Sequence, residues 1–282
     1  MVLVIGGSGF IGRHLVARLE SLGKSVQSVS RSSGFDILKD NLPLEGVGHV
    51  FHLAARTGVI EAWEKPLRFF EVNACGTARV VDQCRMKGCS LTFLSSFRDV
   101  SPASSGLANG SGMDGAGNPY TFSKLVAEKT CAFYAAKYGV DVVTLKLTNV
   151  YGPGQGVKFL IPHVVSQLLD DRVPEIVVQD LAPSRDYLHI NDALDGMVLS
   201  MGAAKGSVFD LGSGVAHSVE DIIKVARNVA KIYKPYRAVG VSRTNEIDRT
   251  MADVQAARSA MGWESKVSLE TGISSMIESM RN

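Results

Sequence analysis

Val2–Ile5 is a short apolar run that stops at glycines, which predicts a buried strand. Ile11, Leu15, Leu19 and Leu22 then recur at helical spacing, so a helix follows. Ser25–Val29 reads as a second strand and Val50–Leu53 as a third. Residues 67–87 predict a helix with Phe70, Ala74, Ala78 and Val81 on one side, and Leu91–Leu94 predicts a further strand. An alanine-rich helical pattern runs from Tyr120 to about Tyr138, and the apolar run over 140–147 is again a strand. Strands alternating with helices predict βαβ units, hence an α/β fold with a doubly wound parallel sheet. Val208–Leu211 predicts a late strand that returns to this sheet. The segment 151–185 and the part after about 215 break the alternation and predict a smaller C-terminal lobe. A helix in that lobe starts near Ser218, where Ser-Val-Glu-Asp is a capping pattern.

Composition narrows the class without naming a function. The 282 residues are 45% hydrophobic and 21% charged with a net charge of +2, an ordinary globular composition with both signs interspersed. Nothing in it marks a nucleic-acid or membrane partner, and the opening residues lack the basic and apolar regions of a signal peptide, so a cytoplasmic protein is expected. Cys75, Cys84, Cys89 and Cys131 show no C-x-x-C spacing and no histidine at ligand spacing, so they are expected as reduced thiols with no metal role. The low-complexity stretch 101–118 is either a flap or a flexible insertion.

The turn after the first strand carries the first candidate chemistry. Gly6, Gly9 and Gly12 stand as G-x-x-G-x-x-G between a strand and a helix. Gly6 permits the tight turn, Gly9 lets backbone N–H groups approach a pyrophosphate, and Gly12 lets the helix pack close to the sheet. The helix N-terminus then faces the phosphates with its partial positive charge, which predicts dinucleotide binding. An acid that binds the ribose is expected at the end of the second strand, but the residues there are Val29-Ser30-Arg31-Ser32-Ser33. Arg31 and the hydroxyls suit a 2′-phosphate, so NADP(H) is favoured over NAD(H). The alternative is an exposed arginine beside a pocket indifferent to that phosphate.

The remaining motifs fall in a known order. Asp36-Ile37 follows the glycine loop, then Val50–Ala55 ("VFHLAA"), then Asn73, Gly76 and Thr77 of "NACGT", then Ser95 and Ser96 of "FLSS". "PYTFSK" brings Tyr120 and Lys124, and "NVYGPG" (149–154), "RDYLHINDA" (185–193), "FDLGSG" and "ARSAMGWESKVSLETGI" close the series. In this the chain resembles the extended short-chain dehydrogenase/reductase family, in particular its NAD(P)-dependent nucleotide-sugar epimerases, dehydratases and reductases. The resemblance implies a Rossmann domain over 1–150, rejoined by the strand at 208–211, and a nucleotide-sugar-binding lobe over 151–282. It implies cofactor contacts at Gly6, Ser8, Gly9, Phe10, Ile11, Gly12, Arg31, Asp36, Ile37, Leu53, Ala54, Ala55, Asn73, Tyr120 and Lys124. It implies a nucleoside-diphosphate sugar held by Ser96, Asn149, Arg185, Tyr187, Arg243 and Glu246, and a homodimer through the helices at 67–87 and 120–138. There are departures from the family pattern. Arg98-Asp99-Val100-Ser101 stands where Tyr-Gly is usual, Lys146 and Asn191 replace an arginine and an acid, and a Gly/Ser-rich stretch precedes Tyr120.

Tyr120 and Lys124 are four residues apart and share a helix face. A phenol titrates near pH 10 and is a poor base at neutrality, but a neighbouring ammonium stabilises the phenolate. Ser96, with Ser95 as second choice, is expected to donate to the substrate oxygen. For Arg185 the alternative is an ion pair with Asp186. His52, Trp63 and Trp263 are expected as packing residues. Two reactions fit, a 4-ketoreduction using NADPH and a 4-epimerisation that returns the hydride. A dehydratase fits less well, because Phe97 and Arg98 occupy the place of the Asp-Glu pair that such enzymes use. A non-catalytic dinucleotide sensor on the same fold is the alternative of another class.

Overall fold

Apolar runs of four to seven residues cannot satisfy their backbone alone, and in this chain they assemble edge to edge. The computed structural model describes residues 1–97, 117–240 and 248–281. Its first half runs β1 (Val2–Ile5), α1 (Phe10–Ser21), β2 (Val26–Val29), β3 (His49–His52), α2 (Val59–Glu64), α3 (Pro66–Phe69), α4 (Gly76–Lys87) and β4 (Ser90–Ser96). It continues through α5 (Pro119–Tyr138), β5 (Val142–Leu147), β6 (Asn149–Tyr151), α6 (Leu160–Leu169), β7 (Ile176–Val178), β8 (Ser184–His189) and α7 (Ile190–Ser200). The last elements are β9 (Val208–Leu211), β10 (Ala216–Ser218), α8 (Val219–Ala230), β11 (Tyr236–Ala238), α9 (Gln255–Met261) and α10 (Leu269–Arg281).

Six strands form one parallel sheet in the order β2-β1-β3-β4-β5-β9. Side chains of a strand alternate between faces, and both faces of this sheet are covered. Val2 and Val4 of β1 join one core with Leu15 and Leu19 of α1, Leu194 and Met197 of α7, and Trp263. Leu3 and Ile5 join the other with Val80 and Val81 of α4 and Ala127 and Cys131 of α5. The late strand β9 sits at the sheet edge beside β5, and α7 lies on the α1 face. The C-terminal half therefore supplies a strand and a layer helix to the first half's sheet. A third core gathers α6, α8 and α10 around Tyr151, Val164, Ile222 and Ile273. Beside it β8 pairs with β6 and β10, and β7 with β11. Ser218 caps α8 as the sequence pattern predicts, accepting from Asp221 N at 3.0 Å. Among the described residues no helix is long and apolar enough to cross a membrane.

Three local expectations change. The helix expected over 67–87 contains a wide π turn at Phe70–Cys75 between α3 and α4. The extra residue in that turn rotates the following face, so Phe69, Val80, Val81 and Cys84 are buried while Phe70 and Ala78 stand half-out. Leu22 falls past the end of α1 and is 49% exposed. Trp63 is not a packing residue: it lies 62% exposed on the short α2, whereas Trp263 is buried with its indole N–H donating to Asp192 O at 2.9 Å. All four cysteines are free, and burial pushes the Cys84 and Cys131 thiols up to about 12.

Two buried histidines make the sheet acid-sensitive. Burial lowers His49 to about 4 and, with the Lys124 charge adding to it, lowers His52 to about 3. Both are neutral in the fold, while the unfolded chain takes up their protons near pH 6.5. Their contribution is therefore fully present above about pH 6.5 and drains away as the pH falls toward 4, by up to about 1.4 kcal/mol per pH unit for each histidine. Urea midpoints measured from pH 7.5 to 4.5 are expected to fall, and a His49→Gln variant is expected to fall less steeply.

Candidate functional site

The chain leaves β1, returns upward as β2 on one side, and comes back as β3 on the other. That reversal opens a crevice at the carboxyl ends of β1 and β3, the place where open α/β sheets bind ligands. The glycine loop lines it. Gly6 has φ +95, and a Cβ there would stand 2.8 Å from Ala54 N. A Cβ on Gly12 would stand 2.1 Å from Gly6 O and 2.8 Å from Gly7 Cα, both backbone, so α1 can approach the loop only without a side chain. Gly9 is the N-cap of α1 with no side-chain cap, and the first-turn N–H groups of Phe10, Ile11 and Gly12 have no intrahelical partner. Ser8 is exposed beside them. This backbone cradle fits a dinucleotide's diphosphate.

At the end of β2 the Ser30–Ser33 turn is tied to itself. Ser33 Oγ donates to Ser30 O at 2.8 Å, and the Ser30 and Ser32 hydroxyls are 2.9 Å apart, while Arg31 is exposed. Asp36 accepts from Leu38 N at 3.0 Å, and Ile37 is buried under Gly76, whose hypothetical Cβ would be 3.2 Å from it. Leu53, Ala54 and Ala55 follow β3 into the crevice, half-buried. Asn73 sits in the π turn, 1% exposed. Its amide takes Arg56 N at 2.8 Å and donates to Arg56 O at 3.1 Å and Ser123 Oγ at 2.9 Å. Ser123 in turn donates to Tyr120 O at 2.7 Å.

Tyr120 stands in the first turn of α5. Asn118 is the N-cap, accepting from Thr121 N at 3.0 Å, and Pro119 holds the first helical position, so the sequence fixes where the helix begins. The Tyr120 ring meets Phe69 edge to face at 6.2 Å. One turn deeper, Lys124 is 4% exposed, 4.3 Å over the Phe93 ring, and donates to Leu94 O at 2.5 Å. The direction of that carbonyl explains the contact. Leu91 N bonds Asp141 O and Phe97 N bonds Leu147 O, so odd residues of β4 face β5 and Leu94 faces β3. β3 ends at His52, opposite Phe93, and the lysine takes up the carbonyl beyond it. Ser95 donates to Glu128 on α5, and Ser96, half-buried, ends the strand. His52 is neutral: Thr77 donates to Asn73 O at 2.6 Å, so the histidine's Nε2–H donates to Thr77 Oγ1 at 2.9 Å, which is the packing role expected of it.

On the lobe side, Asn149 is exposed and donates to Asp186 O at 3.2 Å, Arg185 donates to Ser184 O at 2.9 Å, and Tyr187 is buried in the third core. Arg243 and Glu246 lie outside the described residues, as do Arg98–Ser101 and the stretch from 101 to 116. Two residues were not singled out from sequence. Asp186, fully buried, accepts from Ser213 N at 2.7 Å, Gly214 N at 3.0 Å and Ala252 N at 3.2 Å, joining three chain segments. Nothing in its local sequence announces that. Glu128 had a signal, since it repeats the four-residue step from Tyr120 to Lys124.

Comparison with known proteins gives the context of this site. The family model described as "NAD dependent epimerase/dehydratase family" matches residues 2–212. The GDP-6-deoxy-D-mannose reductase of Pseudomonas aeruginosa is 29% identical, over 82% of this chain and 80% of its own. The UDP-glucose 4-epimerase of Mycolicibacterium smegmatis is 28% identical, over 99% of this chain and 98% of its own. Among solved structures, MoeE5 in complex with UDP-glucuronic acid and NAD has a TM-score of 0.87 at 28% identity, covering 99% of this chain and 98% of that one.

Proposed function

This chain belongs to the NAD-dependent epimerase/dehydratase family, and from that premise we propose that it is an NAD(P)-dependent enzyme of nucleoside-diphosphate sugars working at C4, with Tyr120, Lys124 and Ser96 as its proton-handling centre. The observation that carries this reading is the buried Lys124, one turn below Tyr120, bonded to the strand that ends in Ser96. An ammonium this far out of water stabilises a phenolate on the same helix face. The bound nicotinamide supplies the hydride donor or acceptor. Tyr120 delivers or removes the proton of the sugar oxygen, and Ser96 donates a hydrogen bond to that oxygen as charge develops. Asn149, Arg185 and Tyr187, with Arg243 and Glu246, are the proposed contacts to the nucleoside diphosphate.

Within this reading a 4-ketoreductase using NADPH is favoured. The end of β2 offers no carboxylate to the adenosine ribose, and Arg31 is exposed there to meet a 2′-phosphate. A charge-assisted contact is worth about 1.5–3 kcal/mol, so Arg31→Ala is expected to weaken NADPH about 10- to 100-fold in a fluorescence titration and leave NADH within about twofold. Equal affinity of the wild type for both cofactors would remove the preference.

The deciding experiment mixes protein, NADPH and a panel of GDP- and UDP-linked 4-keto-6-deoxyhexoses, with UDP-glucose in parallel, and follows absorbance at 340 nm. Oxidation of NADPH that vanishes in Tyr120→Phe supports the reductase. No absorbance change, with UDP-glucose isomerised at C4 by NMR, would replace it with the epimerase. Neither result across the panel would favour a dinucleotide sensor. A homodimer through α4 and α5 is part of the proposal: the outer face of α5 carries an apolar hollow lined by Leu125, Val126 and Phe133, and Phe133 and Met86 of α4 are more than half exposed.

A further inference from the structure

Lys124 and Glu128 stand one turn apart on α5, and both reach the last residues of β4: Lys124 donates to the Leu94 carbonyl, and Ser95 donates its hydroxyl to Glu128 Oε1. The strand needs such a hold. β3 stops at His52 opposite Phe93, so Ser95 and Ser96 have register partners only on the β5 side, Lys146 and Leu147, and the Leu94 carbonyl points to the side that β3 has left. A strand tip bonded along one edge is free to swing about that edge. The helix restrains it twice, at the carbonyl facing the side β3 has left and at the side chain facing α5. A carboxylate suits the second hold because it only accepts, and a hydroxyl bonded to a charged acceptor is shorter and stronger than one bonded to a neutral acceptor. Ser95 is buried and Glu128 half-buried, so the bond is partly shielded from bulk water.

Resting on the reading that Ser96 and Tyr120 act on the sugar, we infer that Glu128 is a positioning residue of that reaction. Through Ser95 it fixes where Ser96 stands relative to Tyr120, two turns earlier on the same helix. One helix face then carries the reacting phenol, the ammonium beside it and the carboxylate that anchors the strand opposite. In this role Glu128 acts through its neighbour, the Ser95 hydroxyl that donates to it. The sequence spacing that pairs Tyr120 with Lys124 extends by one more step to a residue with a different task.

Steady-state kinetics on the full chain, with NADPH and a GDP-linked 4-keto-6-deoxyhexose, tests this, with Tyr120→Phe run alongside. Misplacement of a reacting group by about 1 Å costs on the order of 100-fold, so Glu128→Ala and Ser95→Ala are each expected to lower kcat about 10- to 100-fold. KM and NADPH affinity are expected to stay within about threefold, since ground-state binding is not what the bond controls. The double variant is expected to be no slower than the slower single one, because both remove the same bond. Glu128→Gln keeps an acceptor oxygen and is expected to recover most of the loss. Wild-type kcat in Ser95→Ala, or losses that multiply in the double variant, overturns the inference, and Ser95→Ala decides it even if Glu128→Ala does not fold. Loss in Tyr120→Phe with wild-type kcat in Glu128→Ala overturns the inference alone. Full activity in Tyr120→Phe removes the underlying reading of the site as well.

Discussion

Replacing Tyr120 by phenylalanine is expected to lower kcat about 10²- to 10⁴-fold, the range that one positioned acid–base group contributes, while NADPH affinity stays within about threefold. The substitution deletes a single oxygen. The ring keeps its edge-to-face contact with Phe69, and the backbone carbonyl keeps its bond from Ser123, so the first turn of α5 keeps its place. The loss is thus one of chemistry and not of folding, and an unchanged thermal midpoint checks that. Lys124→Ala makes the contrast. It removes the ammonium from beside the phenol and also leaves Leu94 O, at a strand end that β3 no longer covers, without its lysine donor. An unpaired buried carbonyl costs about 1–3 kcal/mol, so this variant is expected to be both inactive and less stable. Turnover by Tyr120→Phe at the wild-type rate would sink the assignment.

Gly12→Ala is expected to abolish NADPH binding and to destabilise the fold by about 1–3 kcal/mol, the usual cost of forcing extra carbon into a packed interior, with the upper end favoured. The added Cβ would lie 2.1 Å from Gly6 O, and both that atom and Gly7 Cα belong to the backbone, so no side chain can swing away. Relief requires α1 to move off the glycine loop, which withdraws the N–H groups of its first turn from the phosphate crevice. Gly48→Ala is the control: a Cβ there meets nothing within 4 Å and its φ lies outside the left-handed region, so a change within about 0.5 kcal/mol is expected. Isothermal titration with NADPH and urea unfolding of the two variants measure both effects.

Much of this architecture is legible because it follows from periodicity. The runs at Val2–Ile5 and Val208–Leu211 are strands at the bounds their apolar residues mark, and Ser218 caps the helix it precedes. The π turn at Phe70–Cys75 was not legible. A turn with one extra residue leaves the composition unchanged, and its cause lies in what it packs against: Phe69 against Tyr120, Phe70 against Phe122, and Asn73 against Ser123. Trp63 is exposed for a related reason. Large apolar residues are usually buried, but α2 is too short and too peripheral to turn that face inward.

By itself the sequence determined the alternation of strands and helices, the glycine spacing that only a close backbone approach requires, and the four-residue step that puts Tyr120 and Lys124 on one helix face. These are properties of neighbours along the chain, set by sterics and by helical pitch. Only the tertiary structure decided that β3 ends short of β4, that Lys124 and Glu128 meet the strand end that β3 leaves uncovered, that Asp186 joins three distant segments, and that Asn73 braces the first turn of α5. All but the first of those are hydrogen bonds between residues far apart in the chain. The partner in each is chosen by which buried polar group would otherwise go unpaired, and that choice exists only once the chain has closed on itself.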